Sequence, residues 1–209
     1  MFTPSINKLI DIFSRFPTIG KRTATRFVFY VLKLPTAEVN EIIRAVVDLK
    51  KKVKTCGFCF NRFEDEQLLC PICRDKSRNQ KIVCVVENET DLAAIEAIKK
   101  YQGLYFVLGG GVSRLREEDL KKLRLKELTE RIKNSPAYGI NGPAFEELIL
   151  AFNPTSEGQS TILYLERELK PFLTKNKTKI TKLGLGLPVG GEMEYADDET
   201  LASAIESRR

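Results

Sequence analysis

The sequence predicts a mixed α+β protein built in parts: an N-terminal helical hairpin, a small four-cysteine module, an α/β domain with a mainly parallel sheet, and a C-terminal extension. Three patterns lead there. Apolar residues recur at helical spacing as far as Leu49. Periodicity then gives way to two Cys-x-x-Cys pairs between Cys56 and Cys73, and from Lys81 onward β-branched runs alternate with helical stretches. With 209 residues and 43% hydrophobic content, the chain can bury a substantial core.

Ile6, Leu9, Ile10, Phe13 and Phe16 share one helical face over residues 5–16, and a second apolar-periodic stretch runs from about Thr23 to Leu34. Pro17-Thr18-Ile19-Gly20 joins them as a tight turn. Pro35 stops the hairpin and Thr36 is expected to cap a third helix. Val39, Ile42, Ile43, Val46, Val47 and Leu49 carry that helix to the basic run 50–54. Lys81–Val86 reads as a buried strand, with Cys84 an ordinary small core residue within it. Thr90 or Asp91 is expected to cap a helix reaching about Tyr101, and Leu104–Leu108 forms a second strand. A charged helical stretch near Glu117–Lys133, a strand at Leu148–Phe152, a helix at Ser160–Leu173 and a strand at Thr178–Leu183 follow. Such alternation implies a mainly parallel sheet with helices on both faces. Residues 134–143, with two prolines and two glycines, read as a surface excursion. The parts are expected at residues 1–53, 54–80, 81–183 and 184–209. No solenoid-period repeat or low-complexity tract interrupts them.

Charge is unevenly placed. Residues 1–80 hold fifteen lysines and arginines against eight acidic residues, whereas 81–209 hold nineteen against twenty, so the net +6 comes from the N-terminal part. A basic region of this kind suits a polyanion, because each neutralised phosphate releases condensed counterions; a solvated lysine-rich face is the plainer alternative. Met1-Phe2-Thr3-Pro4 opens no secretory signal, and no apolar run approaches the roughly 20 residues that span a bilayer, so a cytoplasmic location is expected.

Cys56-Gly57-Phe58-Cys59 and Cys70-Pro71-Ile72-Cys73 are separated by ten residues, a spacing that lets two tight knuckles converge on one tetrahedral ion. Reducing compartments keep thiols free, so metal ligation is favoured over disulfides. Four thiolates leave no open coordination position. A structural Zn2+, one per chain, is therefore expected, and no hydrolytic metal. With no histidine in the chain, imidazole acid–base chemistry is excluded.

Pro17-Thr18-Ile19-Gly20 followed by Lys21, Arg22 and Arg26 resembles a helix-hairpin-helix. In that motif the second helix begins with exposed N–H groups that favour a phosphate, and flanking cations add contacts that position DNA without reading bases. Thr18 stands where the motif usually has glycine. Further on, Val85-Val86-Glu87 and Ala151-Phe152-Asn153-Pro154-Thr155-Ser156-Glu157-Gly158 together resemble the Toprim domain of topoisomerases and primases. Catalytic Toprim sites hold Mg2+ with a glutamate and an Asp-x-Asp, since a hard cation wants several carboxylate oxygens. Glu87 matches the glutamate, but Asn153 and Thr155 occupy the aspartate positions.

Taken with Leu187-Pro188-Val189-Gly190-Gly191-Glu192-Met193-Glu194-Tyr195, these ordered signatures resemble the RecR family over nearly the whole chain. The resemblance implies a DNA-binding recombination and repair mediator without catalytic activity. It implies subunits assembled as a ring-like tetramer around DNA, acting with RecO, and in some bacteria RecF, to load RecA onto gapped DNA. It also implies DNA contacts at Lys21, Arg22 and Arg26, zinc ligands at Cys56, Cys59, Cys70 and Cys73, and a partner-docking Toprim face marked by Glu87, Asn153 and Glu157. Residues 109–143 lack the family's Ser-Pro-Leu and Gly-Ile-Gly-Pro stretches, and Leu185 stands where a histidine commonly precedes Gly-Leu-Pro. The 187–195 segment resembles the family's nucleotide-site-like motif but has no Gly-Lys-Ser/Thr of a P-loop. Two competing classes remain: a Mg2+-dependent Toprim nuclease or primase-like enzyme using Glu87 and Glu157, and a zinc-dependent protein adaptor.

Overall fold

A computed structural model describes residues 2–112, 117–140, 145–184, 186–187, 189–190 and 192–206. They fall into two compact units, Met1–Val53 and Lys54–Arg209. In the first, α1 (Pro4–Phe13) begins on a proline, which lacks only an N–H that would have no helical partner there. It pairs with α2 (Lys21–Val31), burying Ile10, Ala24 and Val28 among Ile6, Leu9, Phe13 and Ile19. The first helix stops at Phe13, so Phe16 falls in the turn, its ring edge-on to Phe13 at 5.9 Å. The third helix, α3 (Thr36–Lys52), departs from expectation at its start. Pro35 holds the N-cap position and Thr36, already helical, makes no capping bond. None of its residues is buried among those described, and Ile42, Ile43, Val46, Val47 and Leu49 are all exposed.

The second unit opens with a two-stranded antiparallel pair, β1 (Lys54–Thr55) and β2 (Arg62–Phe63), and a single helical turn, α4 (Pro71–Arg74). The main sheet follows: β3 (Asn79–Val86), β4 (Gly103–Val107), β5 (Glu147–Ala151) and β6 (Lys179–Lys182), all parallel in the order β4-β3-β5-β6. Side-chain alternation splits it cleanly. Val83, Val85, Leu104, Phe106, Leu148 and Leu150 pack with Leu128 and Ile132 of α7 (Leu125–Lys133) and with Leu165 and Leu169 of α8 (Ser156–Asn176). Cys84, Val86, Tyr105, Val107 and Ala151 face the other way, against Leu92 of α5 (Glu89–Ala97). Cys84 is thus the core residue its strand position implied, and burial pushes its thiol up to about 12.

Several boundaries move for identifiable reasons. Asn88, not Thr90 or Asp91, caps α5; its side chain accepts from the Thr90 and Asp91 N–H groups while Asp91 returns a bond to the Asn88 N–H, a reciprocal capping box. The helix ends at Ala97 and the chain turns on Lys99, at φ 57°. Thr155 caps α8 by accepting from the Gly158 N–H, so that helix starts four residues before Ser160, and it continues past Pro171 to Asn176. The charged stretch divides at Leu123 and Arg124 into α6 (Glu117–Lys122) and α7. The described part of 134–143 is no plain surface loop: Ser135–Tyr138 form a 3-10 turn, and Ser135 and Ile140 are buried. The C-terminal helix is α9 (Asp198–Glu206). Ser113–Arg116, Asn141–Ala144, Leu185, Pro188 and Gly191, on which some sequence expectations rest, lie outside the described residues.

Candidate metal centre and nucleic-acid interface

The four cysteines converge. Their sulfurs all lie within 4.8 Å of one another, with Cys59 Sγ and Cys70 Sγ 3.6 Å apart, and all four residues are buried. A tetrahedral ion with metal–sulfur bonds of about 2.3 Å has sulfur–sulfur edges of about 3.8 Å, so the cage fits. Each knuckle is built by its backbone. The Phe60 N–H donates to the Cys56 carbonyl at 3.2 Å and the Cys56 N–H to the Asn61 carbonyl at 2.9 Å, while Phe60 turns the chain at φ 64°. The Cys70 N–H donates to Cys56 Sγ at 3.3 Å, a bond that favours a thiolate. Hydrogen bonds from Cys59, Cys70 and Cys73 hold Cys56 below the ordinary thiol range. Cys73 is pushed up by the same mutual bonding, first by Cys56, and then by burial. Packed thiols cannot all ionise unaided; a cation among them would let all four do so.

The knuckles are pinned to the sheet. Val107, on the outer side of edge strand β4, donates its N–H to the Cys59 carbonyl at 2.9 Å, so the first knuckle covers that edge. Phe58 packs edge-on to Phe145 and Phe60 to Phe106. Arg131, 6% exposed, donates to the Gly57 carbonyl at 2.9 Å, and its guanidinium lies 3.6 Å from the Tyr138 ring centroid and 5.0 Å from that of Phe60. Arg124 stacks on Phe60 as well, at 4.9 Å, and donates to the Val107 carbonyl at 2.9 Å. Sequence reasoning missed both arginines. They sit in a stretch whose charge pattern reads as solvated, and only an aromatic directly after the first knuckle hinted at a partner.

In the first unit, Lys21 and Arg22 are the first two residues of α2 and Arg26 lies one turn on, all exposed. None of the three forms an ion pair with another described residue. Gly20 at the N-cap offers no side-chain acceptor, and a Cβ there would meet nothing within 4 Å, so no side chain caps the first N–H groups of α2. Thr18, where the motif usually has glycine, adopts φ 64°, a left-handed conformation costly for a β-branched residue.

At the carboxyl ends of the strands, Glu87 follows β3 while Asn153, Thr155 and Glu157 line the β5–α8 junction. Burial, with the charges of Asp91 and Glu157 nearby, raises the Glu87 carboxyl above its usual range, so the structure brings these carboxylates together. Asn153 and Glu157 are exposed beside them. Thr155 brings a neutral hydroxyl, which accepts from the Gly158 N–H, where a catalytic site would have a carboxylate. A Cβ on Gly111 would touch Glu157, which places the glycine loop after β4 against the same junction. Along 187–195, Val189, Met193 and Tyr195 are exposed and Gly190 has nothing within 4 Å of a Cβ position. No helix among the described residues is long and apolar enough to cross a membrane.

A parallel sheet with a glutamate after its first strand and an acidic junction after its third, carrying a four-cysteine cage on its edge, defines a Toprim protein. The Toprim domain's family model matches residues 81–184, that of the RecR helix-hairpin-helix matches 6–50, and that of the RecR C-terminal region matches 186–209. Recombination protein RecR of Gloeothece citriformis is 39% identical over 209 residues, covering 100% of this chain and 98% of its own. Those of Cutibacterium acnes and Prochlorococcus marinus subsp. pastoris are each 39% identical, over 208 and 207 residues and 96% of their lengths. The chain belongs to the RecR family of recombination proteins.

Proposed function

We propose that this chain is a non-catalytic DNA-binding mediator of recombination and repair, acting in the cytoplasm as a ring-shaped homotetramer that works with RecO, and with RecF, to load RecA on gapped DNA. What carries the reading is one pairing of features: an α2 start with three unneutralised cations, and a Toprim junction where Asn153 and Thr155 replace the aspartates a catalytic Mg2+ site needs. Lys21, Arg22 and Arg26 meet phosphates, which makes binding indifferent to sequence. Cys56, Cys59, Cys70 and Cys73 hold one structural Zn2+ that keeps the knuckles folded on β4. Glu87, Asn153 and Glu157 form the docking face for the protein partner. The working parts are residues 1–53 for DNA, 54–80 for zinc, the Toprim domain at 81–183 and the C-terminal segment at 184–209.

The exposed apolar face of α3 supports self-association, since a 17-residue helix burying nothing within its own unit leaves Ile42, Ile43, Val46, Val47 and Leu49 to a second copy. A Mg2+-dependent enzyme is the second reading, favoured by the proximity of Glu87 and Glu157. Incubating metal-loaded protein with labelled DNA and Mg2+ or Mn2+, against a Glu87→Gln control, separates the two. The mediator leaves DNA intact in both; cleavage or synthesis lost only in the variant would replace it with the enzyme. A protein that binds its partner but no DNA at low salt would be an adaptor.

A further inference from the structure

We propose that the amino-terminal rim of the main sheet is a second nucleic-acid surface, on which Lys99, Lys100, Lys133, Lys170, Lys177 and Lys179 contact the phosphate backbone. It extends the DNA-binding reading above and rests on it, but uses no residue of the helical hairpin. Because the four strands are parallel, all begin at one end, where α5, α7 and α8 finish. Lys99 and Lys100 lie between α5 and β4, next to Gln102, whose carbonyl accepts from the Asn79 N–H at the start of β3. Lys177 and Lys179 lead into β6, where the Lys179 N–H donates to the Glu146 carbonyl at 2.8 Å. Lys133 ends α7 with its Nζ 4.4 Å from the Phe172 ring centroid, and Lys170 stands in the last two turns of α8.

The strand order puts Lys99 and Lys100 at one edge of the rim and Lys177 and Lys179 at the other, three inter-strand spacings apart. At about 4.8 Å each, that is roughly 14 Å, an axial length over which duplex DNA carries about eight charges. The charge on the rim is not neutralised. Most carboxylates nearby are paired with other cations: Glu96 with Arg78, Glu130 with Arg131, Glu146 with Lys81 and Glu166 with Lys182, while Glu147, the register partner of Lys179, accepts from the Thr181 hydroxyl and keeps its charge. Among the described residues none of the six lysines forms an ion pair.

Backbone conformation is an independent second observation. Lys99 and Lys177 sit at φ 57° and 56°, left-handed positions just past α5 and α8 that glycine or asparagine fills at least cost. A cation does favour a helix carboxyl end, but it can be supplied from the last turn without a left-handed backbone. Strained lysines at both edges of the rim therefore point to a ligand that needs charge there. Six cations strung over separate elements match a continuous phosphate backbone better than a compact anion. Ile98 is the one large exposed apolar residue at this rim among those described, which leaves an acidic peptide little to bury.

The test uses the full-length, metal-loaded protein and a fluorescein-labelled duplex titrated at several salt concentrations. Lys99→Gly/Lys177→Gly suits the local backbone, so it keeps or raises the thermal midpoint. It should lower the slope of log affinity against log salt by about 0.9 per lost contact, or roughly 2. Lys133→Gln/Lys170→Gln/Lys179→Gln, away from the left-handed positions, should lower the slope by roughly 3 and serves if the glycine variant fails to fold. An unchanged slope in both, while Lys21→Ala/Arg22→Ala/Arg26→Ala weakens binding, overturns this proposal and leaves the hairpin reading standing. No binding by the unaltered protein at low salt removes both.

Discussion

Arg131→Met would test how the metal knuckle is held. The guanidinium is 6% exposed, donates to the Gly57 carbonyl at 2.9 Å and stacks on Tyr138 at 3.6 Å and Phe60 at 5.0 Å. A charged hydrogen bond contributes about 1.5–3 kcal/mol and a desolvated cation–π contact about 1–2 kcal/mol. Methionine keeps the apolar stem but supplies neither, and it leaves the Gly57 carbonyl without this donor. Relief of the guanidinium's desolvation, including that of its buried Nε, which has no hydrogen-bond partner, offsets part of the loss. The net expectation is about 3 kcal/mol. For a unit of this size that lowers the thermal midpoint by roughly 6–12 °C. Thermal denaturation measures the loss, and chelator-driven metal release should quicken in parallel. A midpoint within about 2 °C of the unaltered protein, with unchanged release, would refute the assignment of Arg131 as the staple between knuckle and sheet.

Other perturbations have equally definite outcomes. Stripping the metal with a strong chelator should release about one ion per chain and expose the amides of residues 54–75 to hydrogen exchange, while β3 to β5 stay protected by their packing against Leu128, Ile132, Leu165 and Leu169; Cys70→Ser should behave likewise. Gly158→Ala drives a Cβ into the Asn153 carbonyl oxygen, which must break the turn before α8; denaturant unfolding should show a loss of about 3 kcal/mol or more. Glu87→Gln should stabilise the fold at neutral pH. The raised pKa of Glu87 means that its ionised form costs stability, a cost that grows as pH rises from the unfolded value through the folded one. The advantage of glutamine should therefore vanish below about pH 4, and equal stability of the two proteins at pH 7 would contradict the burial argument.

The sequence made the large features legible because each rests on a strong local signal. Two Cys-x-x-Cys pairs at this spacing point to one shared site, and short apolar runs from Val83 to Val86 and Leu148 to Leu150 point to a buried parallel sheet. Helix ends were less legible. Asn88 and Thr155 won over the neighbouring candidates through bonds to specific N–H groups, a choice decided by backbone direction that periodicity does not encode. Arg124 and Arg131 escaped notice for a similar reason. On a charged helix they read as solvated, and only the approach of Phe60 and Tyr138 from elsewhere in the chain turns them inward. Asn153 and Thr155 are read from the sequence alone, as the residues standing where catalytic Toprim sites carry aspartates.

The most direct test of the central claim is duplex DNA affinity across a salt series for the metal-loaded protein and for Lys21→Ala/Arg22→Ala/Arg26→Ala, with Mg2+ present throughout. Three lost phosphate contacts should flatten the slope of log affinity against log salt by roughly 2 to 3, leaving the DNA uncut by either protein. An unchanged slope, or DNA cleaved by the unaltered chain, would contradict a non-catalytic mediator that holds DNA through its helical hairpin.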